Sequence, residues 1–179
     1  KWVNSSRGQG AGQTQEGPGE LTAPPLLPTL SGEHHQAGLP MRLLISGYYG
    51  MGNVGDEAVL AGLLGELFRQ APDWEVTVLS GNPVATRRQH GVAAVPRFAP
   101  LEVIRAVRQA DIVVSGGGGL LQDATSLRSL LYYAAVLWLA RLARKRTAIL
   151  AQSIGPLRTR LGRTLTRMAA QRADLVTVR

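Results

Sequence analysis

Residues 47–57 read GYYGMGNVGDE, and the fold follows from what stands on either side of them. Before them, residues 42–48 (RLLISGY) form an apolar run of strand length. After them, Val59, Leu60, Leu63, Leu64 and Leu67 recur at helical spacing and predict a helix over residues 56–70. Strand, Gly-rich turn and helix make the opening unit of a parallel α/β sheet. The rest of the chain repeats it. Strands are expected at residues 75–79 (EVTVL), 92–95, 111–115 (DIVVS), 146–151 and 175–178, with helices at 83–89, 101–108, 127–143 and 161–171. This alternation predicts an α/β, doubly wound, mostly parallel sheet covered on both faces, a Rossmann-like domain over residues 41–179. Right-handed crossovers give the strand order 3-2-1-4-5, in which the first and fourth strands are neighbours.

Residues 1–40 depart from this pattern. They hold 7 of the 21 glycines and 5 of the 10 prolines, and the apolar stretch 21–30 (LTAPPLLPTL) is broken by prolines. A disordered extension is expected there, with Met41 as a plausible native start. At the other end the chain stops directly after a strand, so a fragment of a longer protein is expected.

Composition narrows the function classes. With 20 Lys+Arg against 12 Asp+Glu, the net charge of +8 favours an anionic partner. Aromatics make up only 5% and do not interleave with the basic residues, so no nucleic-acid partner is expected. There are no cysteines, which excludes disulfides, thiolate zinc sites and a Cys nucleophile. Two of the three histidines, His34 and His35, lie in the N-terminal extension, so no metal site is expected. The apolar stretch 130–142 is too short for a span of roughly 20 residues and reads as a buried helix. The cytoplasm is the expected location. Arg141, Arg144, Lys145 and Arg146 close one helix, and Arg158, Arg160, Arg163, Arg167 and Arg172 follow. They read as a solvated face or as a surface for anionic lipid or polymer.

The candidate site lies in the loops. Gly50, Gly52 and Gly55 have the G-x-G-x-x-G spacing of dinucleotide-binding turns. The second strand ends in Ser80 and Gly81, where a ribose-binding acid would stand, so no nicotinamide cofactor is expected. Asp56 and Glu57 open the helix and complement its dipole. Alternatively, Asp56 and Asn53 project into a cleft, where Asp56 orients or deprotonates a sugar hydroxyl and Asn53 holds another. Asp56 is the candidate catalytic residue. Tyr49, with Tyr48, stands where a ring can stack on a sugar, and Gly52 and Gly55 allow close approach of a ligand.

The second loop is 116–123 (GGGGLLQD). Consecutive glycines cost about 0.5–1 kcal/mol each relative to alanine in ordered structure, and a tight turn whose amides face a ligand accounts for them. Gly117, Gly118, Gln122, Asp123 and Ser126 are the candidate binding residues here, with Thr125 beside them; Ser126 also reads as a helix N-cap. A third segment, 152–156 (QSIGP), contributes Gln152. All three loops leave the carboxyl ends of the first, fourth and fifth strands, the binding edge of such a sheet. Trp74, Trp138, Tyr132 and Tyr133 read as packing residues.

Taken together, GYYGMGNVGDEAVL (47–60), GGGGLLQDATSLRSLLYY (116–133) and LAQSIGPL (150–157) resemble, in order and spacing, the motifs of CsaB-type polysaccharide pyruvyl transferases. The final TVR is similar to the start of an Arg-Asp-x-x-Ser segment of that family. The resemblance implies the Rossmann-like N-terminal half of a GT-B-like, two-domain enzyme. It implies phosphoenolpyruvate as donor and a lipid-linked cell-wall polysaccharide bearing N-acetylmannosamine as acceptor. The product would be a pyruvate ketal that anchors S-layer proteins, formed in the cytoplasm at the inner face of the plasma membrane. It makes Arg179 a candidate donor-binding residue, and it places the remaining donor groups in the second domain, so that these residues alone are expected to be inactive. Two other readings stay open: a GT-B nucleotide-sugar glycosyltransferase, and an inactive binding domain on the same scaffold.

Overall fold

Ile112–Gly116 (IVVSG) is buried at every position, the mark of a central parallel strand with helices on both faces. The computed structural model describes residues 40–123 and 126–178. The expectation of disorder over residues 1–40 therefore falls almost wholly outside the described residues, as do Thr125 and Arg179.

The described elements alternate strictly. They are β1 (Arg42–Tyr49), α1 (Val54–Gln70), β2 (Glu75–Ser80), α2 (Pro83–His90), β3 (Ala93–Pro96), α3 (Pro100–Gln109), β4 (Ile112–Gly116), α4 (Leu127–Leu142), β5 (Arg146–Gln152), α5 (Arg160–Arg172) and β6 (Leu175–Val178). Every strand pairing is parallel. The sheet order is β3-β2-β1-β4-β5-β6, the doubly wound arrangement expected, extended by one strand. β1 and β4 lie side by side in register, Leu43 beside Ile112 through Ser46 beside Ser115.

Residue parity on β1 sorts the core. Leu43 and Ile45 pack with Leu60, Leu64 and Leu67 of α1. Leu44 points the other way, into a cluster with Val103 and Val107 of α3 and Val136 and Ala140 of α4. A third cluster joins Leu130, Tyr133 and Leu137 of α4 to Ile149 of β5 and Ala169 of α5. Both faces are thus closed, and the strand ends at the carboxyl edge remain for the loops. No helix among the described residues is long and apolar enough to cross a membrane. Leu127–Leu142, the most apolar stretch, is instead buried along Leu130, Tyr133, Ala134, Val136, Leu137 and Ala140.

Helix α1 starts two residues earlier than its apolar period predicts. Asn53 is its N-cap, with Oδ1 accepting the Gly55 amide at 3.0 Å, so Val54 and Gly55 form the first turn. The apolar period cannot register a turn that faces solvent.

Candidate functional site

The loops after β1 and β4 open onto one cleft of about 570 Å³. Tyr48, Asn53, Gly55, Asp56 and Val59 line it from β1 and α1. Gly118, Gly119, Leu120, Gln122, Ser126, Ser129 and Tyr133 line it from the second loop and α4. The parallel pairing of β1 with β4 brings these two sequence-distant segments to the same edge.

The contact between the loops is close. Gly117 and Gly118 both have positive φ, +69° and +68°. A Cβ on Gly118 would stand 2.7 Å from Asp56 Oδ1, and one on Gly117 would collide with Val59. Glycine at these positions lets the second loop pass directly over the start of α1. Asp56 therefore sits between the helix N-terminus and the second loop, facing the cleft.

The structure divides the candidate residues. Asn53, Gly55, Asp56, Gly118, Gln122 and Ser126 line the cleft as expected. Asn53 also spends its side-chain oxygen on the helix cap. Ser126 occupies the N-cap position of α4 but makes no side-chain cap bond. Its hydroxyl and the Gln122 amide make no side-chain hydrogen bond among the described residues, so both are available to a ligand. Gly52 and Gly117 do not line the cleft.

Three expected binding residues are occupied elsewhere. Tyr49 is fully buried, and its hydroxyl donates to the Gly116 carbonyl at 2.6 Å. Burial, and then the charge of Asp56, push its pKa far above the ordinary tyrosine value, so it is a neutral strut between the loops. Tyr49 shares the parity of Leu43 and Ile45 and packs in their cluster, and Tyr48, of the opposite parity, is the ring that reaches the cleft. Asp123 does not line the cleft and accepts from Arg158 N at 2.6 Å, Thr159 N at 2.7 Å and Thr159 Oγ1 at 2.5 Å. The Thr159 hydroxyl and these amides hold its pKa down to about 2. It fastens the start of α5 to the second loop. Gln152 is fully buried and donates to Ser115 Oγ at 2.7 Å, bracing β5 against β4. Arg179 lies outside the described residues.

Glu57, read as a dipole partner, is a fastener of the first loop. One oxygen accepts the Gly50 amide at 2.7 Å and the other lies 3.3 Å from His90 Nε2 on α2.

Sequence reasoning missed Arg97, Tyr133 and Ser129. Tyr133, read as packing, does pack, but it also borders the cleft. Arg97 follows β3, is 6% exposed, and donates to the Gly47 carbonyl and the Tyr133 hydroxyl, each at 3.0 Å. Its guanidinium lies over the rings of Tyr48, Phe98, Tyr132 and Tyr133, between 4.6 and 5.7 Å from their centroids. No periodicity flags a lone Arg in a turn, so nothing in the sequence separated it from the solvated arginines.

The cleft thus offers a carboxylate, amides, hydroxyls and aromatic edges, with no Lys, Arg or His among the described residues of its lining. The family model for polysaccharide pyruvyl transferases matches residues 53–179. The chain belongs to this family. The match begins at the N-cap of α1 and takes in the second loop, so the cleft-lining residues from Asn53 to Tyr133 all fall within it. The family is one of transferases, and its Rossmann-like α/β domain is the fold described above. Among curated proteins, none matches the chain.

Proposed function

We propose that the cleft is the acceptor side of a pyruvyl-transfer site of the CsaB type. In this reading phosphoenolpyruvate is the donor, and an N-acetylmannosamine residue of a lipid-linked secondary cell-wall polymer is the acceptor. The observation that carries it is the lining: polar groups suited to neutral hydroxyls, with one carboxylate and no cation among the described residues. Phosphoenolpyruvate carries a phosphate and a carboxylate and calls for Arg, Lys or amide donors. A polyol calls for acceptors such as Asp56, donor–acceptors such as Gln122, Ser126 and Ser129, and an aromatic edge such as Tyr48.

The chemistry fits a two-sided site. Two acceptor hydroxyls add to C2 of the donor, C3 takes a proton to become a methyl group, and the bond from C2 to the phosphate oxygen breaks. One of the two hydroxyl protons is balanced by the proton on C3 and the other by the proton leaving with phosphate. Asp56 accepts from an attacking hydroxyl and raises its nucleophilicity. Arg179, by its motif position, would meet the donor anion, and a second domain of a GT-B-like architecture would supply further cations. Ketals formed this way would serve S-layer anchoring. The arginines along α5, exposed at Arg160, Arg163 and Arg167, would hold the enzyme against the inner face of the plasma membrane.

The test is phosphate release by the intact protein from phosphoenolpyruvate with an N-acetylmannosamine-containing acceptor, run beside titrations with UDP-sugars. Acceptor-dependent phosphate release is expected. Binding and turnover of a UDP-sugar instead would replace this reading with that of a nucleotide-sugar glycosyltransferase.

A further inference from the structure

Arg97 and Tyr133 carry an arrangement that packing does not explain. A guanidinium in a sheet-edge turn normally reaches water or a carboxylate. Arg97 does neither: it is 6% exposed and takes part in none of the ion pairs among the described residues. Its Nε is buried without a hydrogen-bond partner. The compensation visible for this burial is aromatic: the four rings around it, together with the Gly47 carbonyl and the Tyr133 oxygen.

The direction of the bond to Tyr133 matters. Arg97 has only donors, so the Tyr133 oxygen accepts. A phenolic O–H lies near the ring plane and has two favoured orientations. The one facing the guanidinium would oppose the N–H that the oxygen accepts, so the proton turns the other way. Tyr133 is 2% exposed, and the side-chain bond that its hydroxyl makes among the described residues is the one it accepts from Arg97. Its ring borders the cleft, where Asp56 lies close enough for its charge to act on the phenol. A buried donor with no acceptor is costly unless a ligand supplies one.

We propose that Tyr133 is a substrate-contacting hydrogen-bond donor of the cleft, and that Arg97 is the positioning residue that aims its O–H at the acceptor hydroxyl which Asp56 accepts from. The inference rests on the acceptor-side reading above and deepens it. A sugar hydroxyl both donates and accepts, and Asp56 and Tyr133 offer it one partner of each kind. The groups facing Tyr133 are Tyr48 of β1, Asp56 of α1, Arg97 after β3 and Tyr132 of α4. Burial raises the Tyr133 pKa and Arg97 opposes that rise, so Tyr133 remains a protonated donor near neutrality.

The experiment uses the intact protein and the variants Tyr133→Phe, Arg97→Gln, Arg97→Lys and the double variant Tyr133→Phe/Arg97→Gln. Tyr133→Phe is expected to lower kcat/KM for the acceptor about 10- to 100-fold with KM for phosphoenolpyruvate unchanged, and to lower Tm modestly because Arg97 loses one of its two hydrogen-bond acceptors. Arg97→Gln is expected to lower acceptor kcat/KM as well, with Arg97→Lys recovering part of it. The double variant should be no worse than the more impaired single one, because both act through one hydroxyl. In protein labelled with 13C at the tyrosine Cζ, the Tyr133 signal, assigned by its loss in Tyr133→Phe, should titrate at higher pH in Arg97→Gln. An unchanged acceptor kcat/KM in Tyr133→Phe, or losses that multiply in the double variant, would overturn the proposal. If the unaltered protein shows no turnover, the pyruvyl-transfer reading fails by itself. The proposal is then decided by the Tyr133 signal, which must move on adding N-acetylmannosamine and must titrate higher in Arg97→Gln; a signal that does neither overturns it.

Discussion

The two Gly-rich loops begin alike, each leaving a buried parallel strand for a helix, yet they spend their polar side chains differently. In the first, Asn53 caps α1, Glu57 ties Gly50 to His90, and Tyr49 is buried against Gly116. Asp56 borders the cleft. In the second, Gln122 and Ser126 line the cleft and make no side-chain bond among the described residues, and Asp123 is the residue engaged in structural work. A carboxylate follows each glycine run, but one borders the cleft and the other clamps α5. The lesson is that a carboxylate's job is set by which donors the fold brings to it. Asp123 meets the amides of Arg158 and Thr159, whereas Asp56 lies against Gly118 at the cleft wall.

The sharpest way to break this contrast is to exchange the two acids' expected consequences. Asp56→Asn is expected to lower kcat/KM for the acceptor by about 100-fold or more, an effect much larger than any change in Tm accounts for. Asp123→Asn should do the reverse, lowering Tm while leaving the pH-7 kinetics close to those of the unaltered protein. Equal kinetic losses in both would erase the distinction.

Gly118→Val tests the crossing of the loops. It forces a β-branched residue into a positive-φ position and against Asp56, and about 2 kcal/mol or more of stability should be lost. Gly52→Ala, also at positive φ but with open space around its Cβ, should cost about 1 kcal/mol. Chemical denaturation of both measures the difference, and parity between them would mean that backbone strain alone governs the second loop.

Within the first loop, Glu57→Gln should cost about 1–2 kcal/mol through the weakened bonds to Gly50 and His90, and Asn53→Ala about 1 kcal/mol through the lost cap. Denaturation midpoints give both values. An Asn53→Ala effect on the acceptor KM larger than its effect on stability would show Asn53 serving the cleft more than the helix.

The smallest effect concerns acid. Asp123 has its pKa lowered in the fold to about 2. Its contribution is thus fully present above the unfolded carboxylate value of about 3.9 and is lost as pH falls through about 2. The Tm difference between the unaltered protein and Asp123→Asn should be constant from neutrality to about pH 4 and shrink below it. A difference that vanishes at higher pH would mean that the clamp does not hold Asp123 ionised.

The alternation of strands and helices, the parallel sheet and the meeting of two glycine loops at its carboxyl edge were all legible in the order of residues. They rest on periodicity and on the handedness of crossovers, which are local or nearly universal properties of the chain. Even so, the pattern misplaced the start of α1, because a solvent-facing first turn leaves no apolar period.

The tertiary structure decided which side chains reach the cleft. Tyr49 joins Leu43 and Ile45, whose parity it shares, in the core, and its hydroxyl bonds a carbonyl 67 residues away, a partner that only the fold supplies. Arg97 is buried beneath rings contributed by β1, by its own turn and by α4, an enclosure assembled only once those segments meet. Strand and helix periods fix which face a residue takes within its own element. Which way a turn's side chains point depends on contacts between segments far apart in sequence, and for those the chain had first to fold.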